Sequence, residues 1–232
     1  MRVDILTCLP QLLESPCGHS IIKRALDKQL LSLHLHNLRD YTLDKHRKVD
    51  DYAYGGEAGM LLSVEPVARC IEKLKADRVY SEVIYMAPDG QPLTQRLANQ
   101  LALQDNLLIL CGHYKGVDER IRDHLITREI SIGDYVLSGG ELPAAVLLDA
   151  LVRLLPGVLS DETAALTDSF QDGLLAPPAY TRPAAFQNMQ VPPVLLSGNA
   201  RAVHEWRHAA ALKRTAERRP DLYRRYCAAQ AQ

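Results

Sequence analysis

No stretch of this 232-residue chain approaches the ~18 consecutive apolar residues that a membrane-spanning helix needs. Internal repeats and low-complexity tracts are also missing. Hydrophobic residues make up 47% and charged residues 24%, ordinary globular values that exclude disordered and fibrous classes for the bulk of the chain. Cysteines are few. Cys8, Cys17, Cys70, Cys111 and Cys227 are scattered, odd in number and without a C-x-x-C pair. That excludes a disulfide framework and a Cys-rich zinc site, and leaves buried reduced thiols as the expectation. Neither G-x-x-x-x-G-K-[ST] nor G-x-G-x-x-G occurs, which argues against a P-loop NTPase and a Rossmann dinucleotide enzyme. The opening residues Met1-Arg2-Val3-Asp4 carry charge inside the first apolar stretch. This reads as a strand rather than a signal peptide, and a cytoplasmic protein is expected.

What is present is an uneven charge distribution. Between Arg201 and Tyr226 there are eight Lys/Arg (among them Arg214, Arg218 and Arg219) against three acids, whereas the rest of the chain carries 19 basic against 25 acidic residues. A mildly acidic body with a basic tail fits a polyanion-binding end. A solvated, arginine-rich helix face fits it equally.

The periodicity predicts an α/β fold. Val3 to Thr7 has strand length, His19 to Lys28 has helical spacing, and Leu31, Leu33 and Leu35 alternate as in a strand. Residues 39–51 are polar and aperiodic; the loop Tyr54-Gly55-Gly56-Glu57-Ala58-Gly59 follows. Ser63 is a suitable N-cap for a helix to about Ala76. A strand from Val79 to Met86 should end in the turn Ala87-Pro88-Asp89-Gly90. Thr94 can cap a helix to about Gln104. Leu107 to Leu110 reads as a strand buried on both faces. Val117 to Ile126 looks helical, Glu129 to Ile132 looks like a strand, and Glu141 to Leu155 reads as a helix stopped by Pro156-Gly157. Strands alternating with helices imply a mostly parallel sheet covered on both faces, over residues 1–157. Residues 158–175 read as an exposed interdomain linker, and 176–232 as a small helical domain with helices from about Ala200.

Three glycine-containing loops follow strand-like runs: 87–90, 112–116 and 133–140. In open α/β sheets ligands bind beyond the carboxyl ends of the strands, and glycine there lets backbone approach them closely. Together the loops point to a nucleoside-type ligand. Asp168 lies in the linker, where it is either an exposed acid or cap, or a functional carboxylate. His34 and His36 should project from one face of a strand, and His204 and His208 from a partly exposed helix face rather than onto a metal.

At these loops the chain resembles a known family. Leu110-Cys111-Gly112-His113-Tyr114-Lys115-Gly116-Val117-Asp118-Glu119-Arg120, Ile130 to Leu142, Asp168-Ser169-Phe170, Tyr180-Thr181-Arg182-Pro183 and Pro193 to Asn199 closely resemble the bacterial tRNA (guanine-N1)-methyltransferases that modify guanosine 37. That family belongs to the SPOUT class. The resemblance implies a deep trefoil knot, a homodimer with active sites built from both subunits, and S-adenosylmethionine as methyl donor. It assigns cofactor contacts to Tyr85, Met86, Pro88, Gly90, Gly112, Tyr114, Ile132, Gly133, Asp134, Tyr135, Val136, Leu137, Gly139 and Gly140. Asp168 matches the family's general base and Arg153 its partner at the guanine. His46 and Asp50 match a substrate-side loop, and Arg214, Arg218 and Arg219 fall in the tRNA-binding domain. The partner is then tRNA with guanosine at position 37, with no membrane involved.

The residue types suit that chemistry. N1 of guanine is a poor nucleophile until its proton leaves, and a carboxylate can take that proton. An ordinary Asp, with a pKa of ~3.9, is a weak base and needs help. An arginine near O6 would stabilise the negative charge that develops on the base. The anticodon loop is single-stranded, so its base can be splayed into a pocket. Three positions depart from the family pattern: His113 replaces a common Arg, Lys115 a common Glu, and Glu57 a common Gly. Lysine cannot bind magnesium, so Lys115 argues against the magnesium role known at that position. The alternatives are a non-catalytic tRNA-binding protein and a knotted RNA methyltransferase with another target nucleotide.

Overall fold

Five strand-length runs line up side by side, all parallel. In the computed structural model, which describes residues 1–56, 58–161 and 163–231, the chain divides into two units, Met1–Glu162 and Thr163–Gln232. The first unit contains β1 (Arg2–Thr7), α1 (Gln11–Cys17), α2 (Ser20–Asp27), β2 (Ser32–Asn37), β3 (Asp50–Tyr52), β4 (Met60–Leu62), α3 (Val64–Asp77), β5 (Glu82–Pro92), α4 (Gln95–Ala102), β6 (Asn106–Cys111), α5 (Glu119–Leu125), β7 (Arg128–Ser131) and α6 (Glu141–Val152). Its sheet has the order β2-β1-β6-β5-β7. Val3 pairs with Leu33 on one side and Leu107 on the other, and Ile109 with Ile84.

Alternation along each strand feeds two separate cores. Val3, Ile5, Ile84, Met86, Leu107, Ile109 and Cys111 pack with Leu13 of α1, Ala25 of α2, Leu101 of α4, and Leu147, Leu148 and Leu151 of α6. Leu6, Val83, Tyr85, Leu108 and Leu110 pack on the other face with Val67, Ile71 and Leu74 of α3 and Ile121 of α5. Leu107 to Leu110 are fully buried. Each such side chain contributes ~1.5–3 kcal/mol through removal from water, which is why a run without polar residues is a strand here. The expected α/β architecture with a mostly parallel sheet is borne out.

Four local expectations need correction. A helix, α1, fills the stretch between Thr7 and His19; Pro16 lies inside it and no side chain caps it, so neither usual signal marks it. Ser63 occupies the N-cap position of α3 without a side-chain cap, its N–H donating instead to the Val49 carbonyl. Thr94 does cap α4, accepting from the Leu97 N–H at 3.2 Å. Strand β5 does not end at Met86. Both Met86 and Gln91 pair with Ile130, so residues 87–90 form an excursion after which the strand resumes. Gly90 permits this, because a Cβ there would lie 2.6 Å from the Glu129 carbonyl carbon and the Ile130 nitrogen. Finally, Cys227 is exposed, while Cys8, Cys17, Cys70 and Cys111 are buried; all five are free thiols.

The loop before β4 holds Gly55 and Gly56 at φ of +94° and +79°, a region that side-chain-bearing residues rarely occupy. The departure at Glu57 lies outside the described residues. The second unit contains α7 (Thr163–Leu166), a hairpin of β8 (Ala185–Phe186) and β9 (Met189–Gln190), α8 (Pro193–Leu196), α9 (Ala200–Arg218) and α10 (Pro220–Gln230). Buried Thr215 ties the segment before the hairpin to α9: its Oγ1 accepts from the Leu175 N–H at 2.9 Å and donates to the Ala211 carbonyl at 2.7 Å. Among the described residues no helix is long and apolar enough to cross a membrane.

Candidate active site

The excursion 87–90 within β5 meets loops 112–116 and 133–140, which follow the carboxyl ends of β6 and β7. Of the residues assigned to the cofactor, all but Gly90 and Asp134 line one cleft there. Gly90 supports the wall from behind, and Asp134 is exposed. Ala87, His113, Lys115, Gly116, Ile130, Ser131, Ser138 and Pro143 complete the lining.

Backbone proximity shapes the floor. The Gly140 N–H donates to the Gly112 carbonyl at 2.7 Å, and His113 bridges Gly139 across the loops. A Cβ on Gly140 would lie 2.8 Å from both Cys111 Cα and Gly112 N. A Cβ on Gly112 would meet the Tyr85 ring and hydroxyl at 2.9 Å. Loop 112–116 is stitched to the other side as well. The Lys115 N–H donates to Met60, and the Leu62 N–H donates to Gly116, both at 3.0 Å. The Lys115 stem lies over Gly59, where a Cβ would be 2.8 Å from its Cδ. Tyr114 adopts φ +62° and packs edge-on against His113, with ring centroids 4.9 Å apart.

Arg122 of α5 has no place in the sequence-based assignment, yet it organises one wall. Its guanidinium binds Glu129 of β7 at 2.6 and 2.7 Å and Asp89 of the β5 excursion at 2.7 Å. It also lies 5.6 Å from the centroid of the Tyr85 ring. The hydrogen bonds that Arg122 donates to Glu129 and then to Asp89 raise its pKa further above its ordinary value, and Arg122 in turn lowers that of Asp89. Burial pushes the Tyr85 phenol up to about 12, so it stays protonated at neutral pH. No sequence signal marks Arg122, because its partners sit on two other elements, β5 and β7.

Arg39 is the second residue that the sequence reading missed. It follows β2 at the carboxyl end of the sheet, and its Nη1 donates to the Arg47 carbonyl at 3.1 Å. Burial raises the Tyr114 phenol, as does the charge of Asp50, while a hydrogen bond from Arg39 lowers it. The charge of Asp50 thus reaches Tyr114, whereas His46 is exposed, its N–H on the Asp44 carboxylate at 2.8 Å. Arg153 is the C-cap of α6. Glu141, beside the cleft, is that helix's first residue. At 1.5 Å per residue the two are about 18 Å apart along its axis. A single chain therefore does not bring Arg153 to its own cleft.

Over residues 1–225 the sequence matches the family described as tRNA (Guanine-1)-methyltransferase TrmD. The chain belongs to this family. It is 64% identical over 226 residues to a tRNA (guanine-N(1)-)-methyltransferase of Cytophaga hutchinsonii, covering 97% of this chain and 96% of that protein. It is 61% identical to the protein of that name from Flavobacterium johnsoniae, with 96% and 98% covered. The one from Bacteroides fragilis is 59% identical, with 96% and 99% covered. The resemblance carried by the five motifs is borne out.

The remaining assigned residues of this TrmD-family chain lie in the second unit. Asp168 is half-buried in the irregular segment after α7, just before a turn closed by the Phe170 N–H on the Leu174 carbonyl at 2.7 Å. In the basic tail the arginines divide into two sets. Arg219 and Arg225 pair with Asp221 at 2.7 and 3.6 Å. Arg218 is exposed and forms no ion pair among the described residues, and Arg214 Nη1 donates to the Ala176 carbonyl at 3.4 Å. His204 and His208 lie exposed on α9. Among the described residues no group of three His, Cys, Asp or Glu side chains could hold a metal ion.

Proposed function

We propose that the protein transfers a methyl group from S-adenosylmethionine to N1 of guanosine 37 in tRNA. Membership of the family makes it a tRNA (guanine-N1)-methyltransferase. The observation that carries the finer reading is the convergence of loops 87–90, 112–116 and 133–140 on one cleft at the carboxyl ends of adjacent parallel strands. Its composition fits the donor. Tyr85, Ile132, Tyr135 and Leu137 offer apolar and aromatic surface to an adenosine, and glycines 112, 139 and 140 let the loops pack closely enough to present their backbone to it. When bound, the donor supplies a methyl already activated on a sulfonium.

The chain's own residues do the rest. Asp168 accepts the N1 proton of guanine, and Arg153 stabilises the charge that the base gains. The cleft loops hold the acceptor in line with the methyl, which can be a large part of catalysis. The placement of Arg153 at the far end of α6 favours a homodimer in which one subunit's Arg153 serves the other's cleft. Exposed apolar side chains at Val136, Leu142 and Val146 supply surface for such a contact. The close packing of loop 133–140 against 112–116 supports reading a trefoil knot at the cleft. The second unit, with Arg218 exposed on α9, is read as the tRNA-binding domain, and the enzyme as cytoplasmic.

A single-turnover assay on defined tRNA transcripts with guanosine or adenosine at position 37 tests this reading. Methylation of the first alone is expected. Methylation of both would redirect the enzyme to another nucleotide, and tRNA binding without methylation would leave a non-catalytic binder.

A further inference from the structure

The cleft floor rests on a buried acid that the reaction scheme does not use. Glu141 is 1% exposed at the first position of α6, where the helix dipole favours negative charge. One carboxylate oxygen accepts from Thr7 Oγ1 at 2.6 Å, inside the protein. That hydroxyl is in turn fixed by accepting from the Leu9 N–H at 2.9 Å. The other oxygen, Oε2, points to His113 Nδ1 at 3.9 Å. His113 Nδ1 is itself buried without a hydrogen-bond partner among the described residues. Between the two lies Gly139, whose missing side chain leaves the gap open: a Cβ would be 2.6 Å from His113 Nδ1 and would also collide with Glu141 Oε2.

A buried carboxylate with one neutral donor is incompletely compensated, and a cation is the partner that would complete it. Histidine is the side chain whose charge changes between about pH 5 and 8. The other groups around the ring do not compete for this role. Thr7 and the buried Cys8 thiol, which burial pushes up to about 11, are neutral. The Tyr114 phenol is raised by burial and neutral as well, and the charges of Asp50 and Arg39 act on that phenol.

We infer that Glu141 and His113 form a proton-linked brace that positions the methyl-donor cleft. With the ring doubly protonated, His113 is drawn onto Glu141, and loop 112–116 is held against Gly139 and Gly140. With the ring neutral, the brace loosens. Glu141 is a positioning residue, acting through His113 and not on the reacting atoms. The sign follows: if binding favours the braced form it favours the protonated ring, so affinity falls as pH rises through the histidine range.

This inference rests on the cleft being the donor site, so the test separates the two. The probe is 5′-methylthioadenosine, which carries the adenosine and thioether without an amine that titrates near neutrality. Its Kd is measured by calorimetry on the full chain at about pH 6 and pH 8. Wild type should bind about tenfold more weakly at the higher pH. His113→Gln should be weak at both values and His113→Arg tight at both. Glu141→Gln, which keeps an acceptor for Thr7, should lose the pH dependence. The brace is overturned if wild type shows no pH dependence, or if Glu141→Gln or His113→Gln keeps it in full. Failure of wild type to bind the probe at either pH would instead remove the donor reading of the cleft, and the brace with it.

Discussion

Replacing Gly140 by alanine adds a single methyl group to the most crowded point of the cleft floor. Backbone conformation is not the obstacle, since Gly140 has φ −84°, which any residue adopts. The obstacle is contact. The new Cβ would sit 2.8 Å from Cys111 Cα and Gly112 N, about 0.6 Å inside the ordinary 3.4 Å limit. Both neighbours are main-chain atoms of a fully buried strand end, so neither can rotate aside. Relief requires the two loops to separate, which lengthens the 2.7 Å hydrogen bond from Gly140 to Gly112. Overpacking of a tight site costs about 1–3 kcal/mol. Weakening that hydrogen bond adds about 1 kcal/mol. Much of this falls on the cleft itself, so S-adenosylmethionine affinity should drop by at least about tenfold, or 1.4 kcal/mol. Calorimetry with the donor measures the first effect and urea unfolding the second. Gly55→Ala is the comparison, because nothing lies within 4 Å of its Cβ and any cost there is conformational. If Gly140→Ala binds the donor as tightly as wild type, the loops are not held by this contact and the reasoning fails.

Four further outcomes are expected. Arg122→Leu should weaken donor binding and lower stability by about 1–2 kcal/mol, because it leaves the partly buried Glu129 and the exposed Asp89 without their cation; an unchanged melting curve would remove Arg122 as a clamp. Arg218→Ala should flatten the salt dependence of tRNA binding by roughly 0.7 in log–log slope, whereas Arg219→Ala, whose charge already meets Asp221, should change it less; equal slopes would refute the division. Inactive Asp168→Ala and Tyr114→Ala proteins, once mixed and allowed to exchange subunits, should regain partial methylation, and absence of rescue after proven exchange would contradict a shared site. Asp4 carries a fully buried carboxyl that burial alone would raise, but hydrogen bonds from His36 and Arg2 outweigh burial and hold it well below the usual range. Its folded pKa is depressed, so its contribution is present above the unfolded value of ~3.9 and is lost as pH falls below that. Asp4→Asn should therefore unfold more easily at pH 7 but flatten the acid limb of the stability profile; an unaltered acid limb would show that Asp4 is not the group responsible.

The legible parts of this protein are those governed by periodicity and by the chain's own neighbours. Leu107 to Leu110 could only be a strand buried on two faces, and Thr94 marked the start of α4 through a bond three residues away. The positions of the three loops followed from the strands that precede them. What stayed hidden depends on distant partners. Asp50 to Tyr52 show no alternation because β3 is an exposed ribbon pairing with β4. The resumption of β5 after residue 90 is set by the backbone of β7, which nothing near Gly90 announces. Arg122 and Glu141 read as an ordinary helix charge and an ordinary first-turn acid. Their roles come from Tyr85 and Asp89 in one case, and from Thr7 and His113 in the other.

The distribution of sulfur gives the fold a built-in set of reporters. Cys17 and Cys111 belong to the core on the α6 side of the sheet, Cys8 and Cys70 to the core on the α3 side, and Cys227 to the exposed surface of the second unit. Burial raises the thiol pKa values of all four internal cysteines, Cys70 to about 12. The thiolate is the reactive form, so these four stay inert until local opening exposes them. A thiol-directed reagent would then mark Cys227 at once and the others only as each face opens. Mapping which pair is modified first by peptide mass would tell whether the α3 layer or the α6 layer peels away from the sheet at lower free energy.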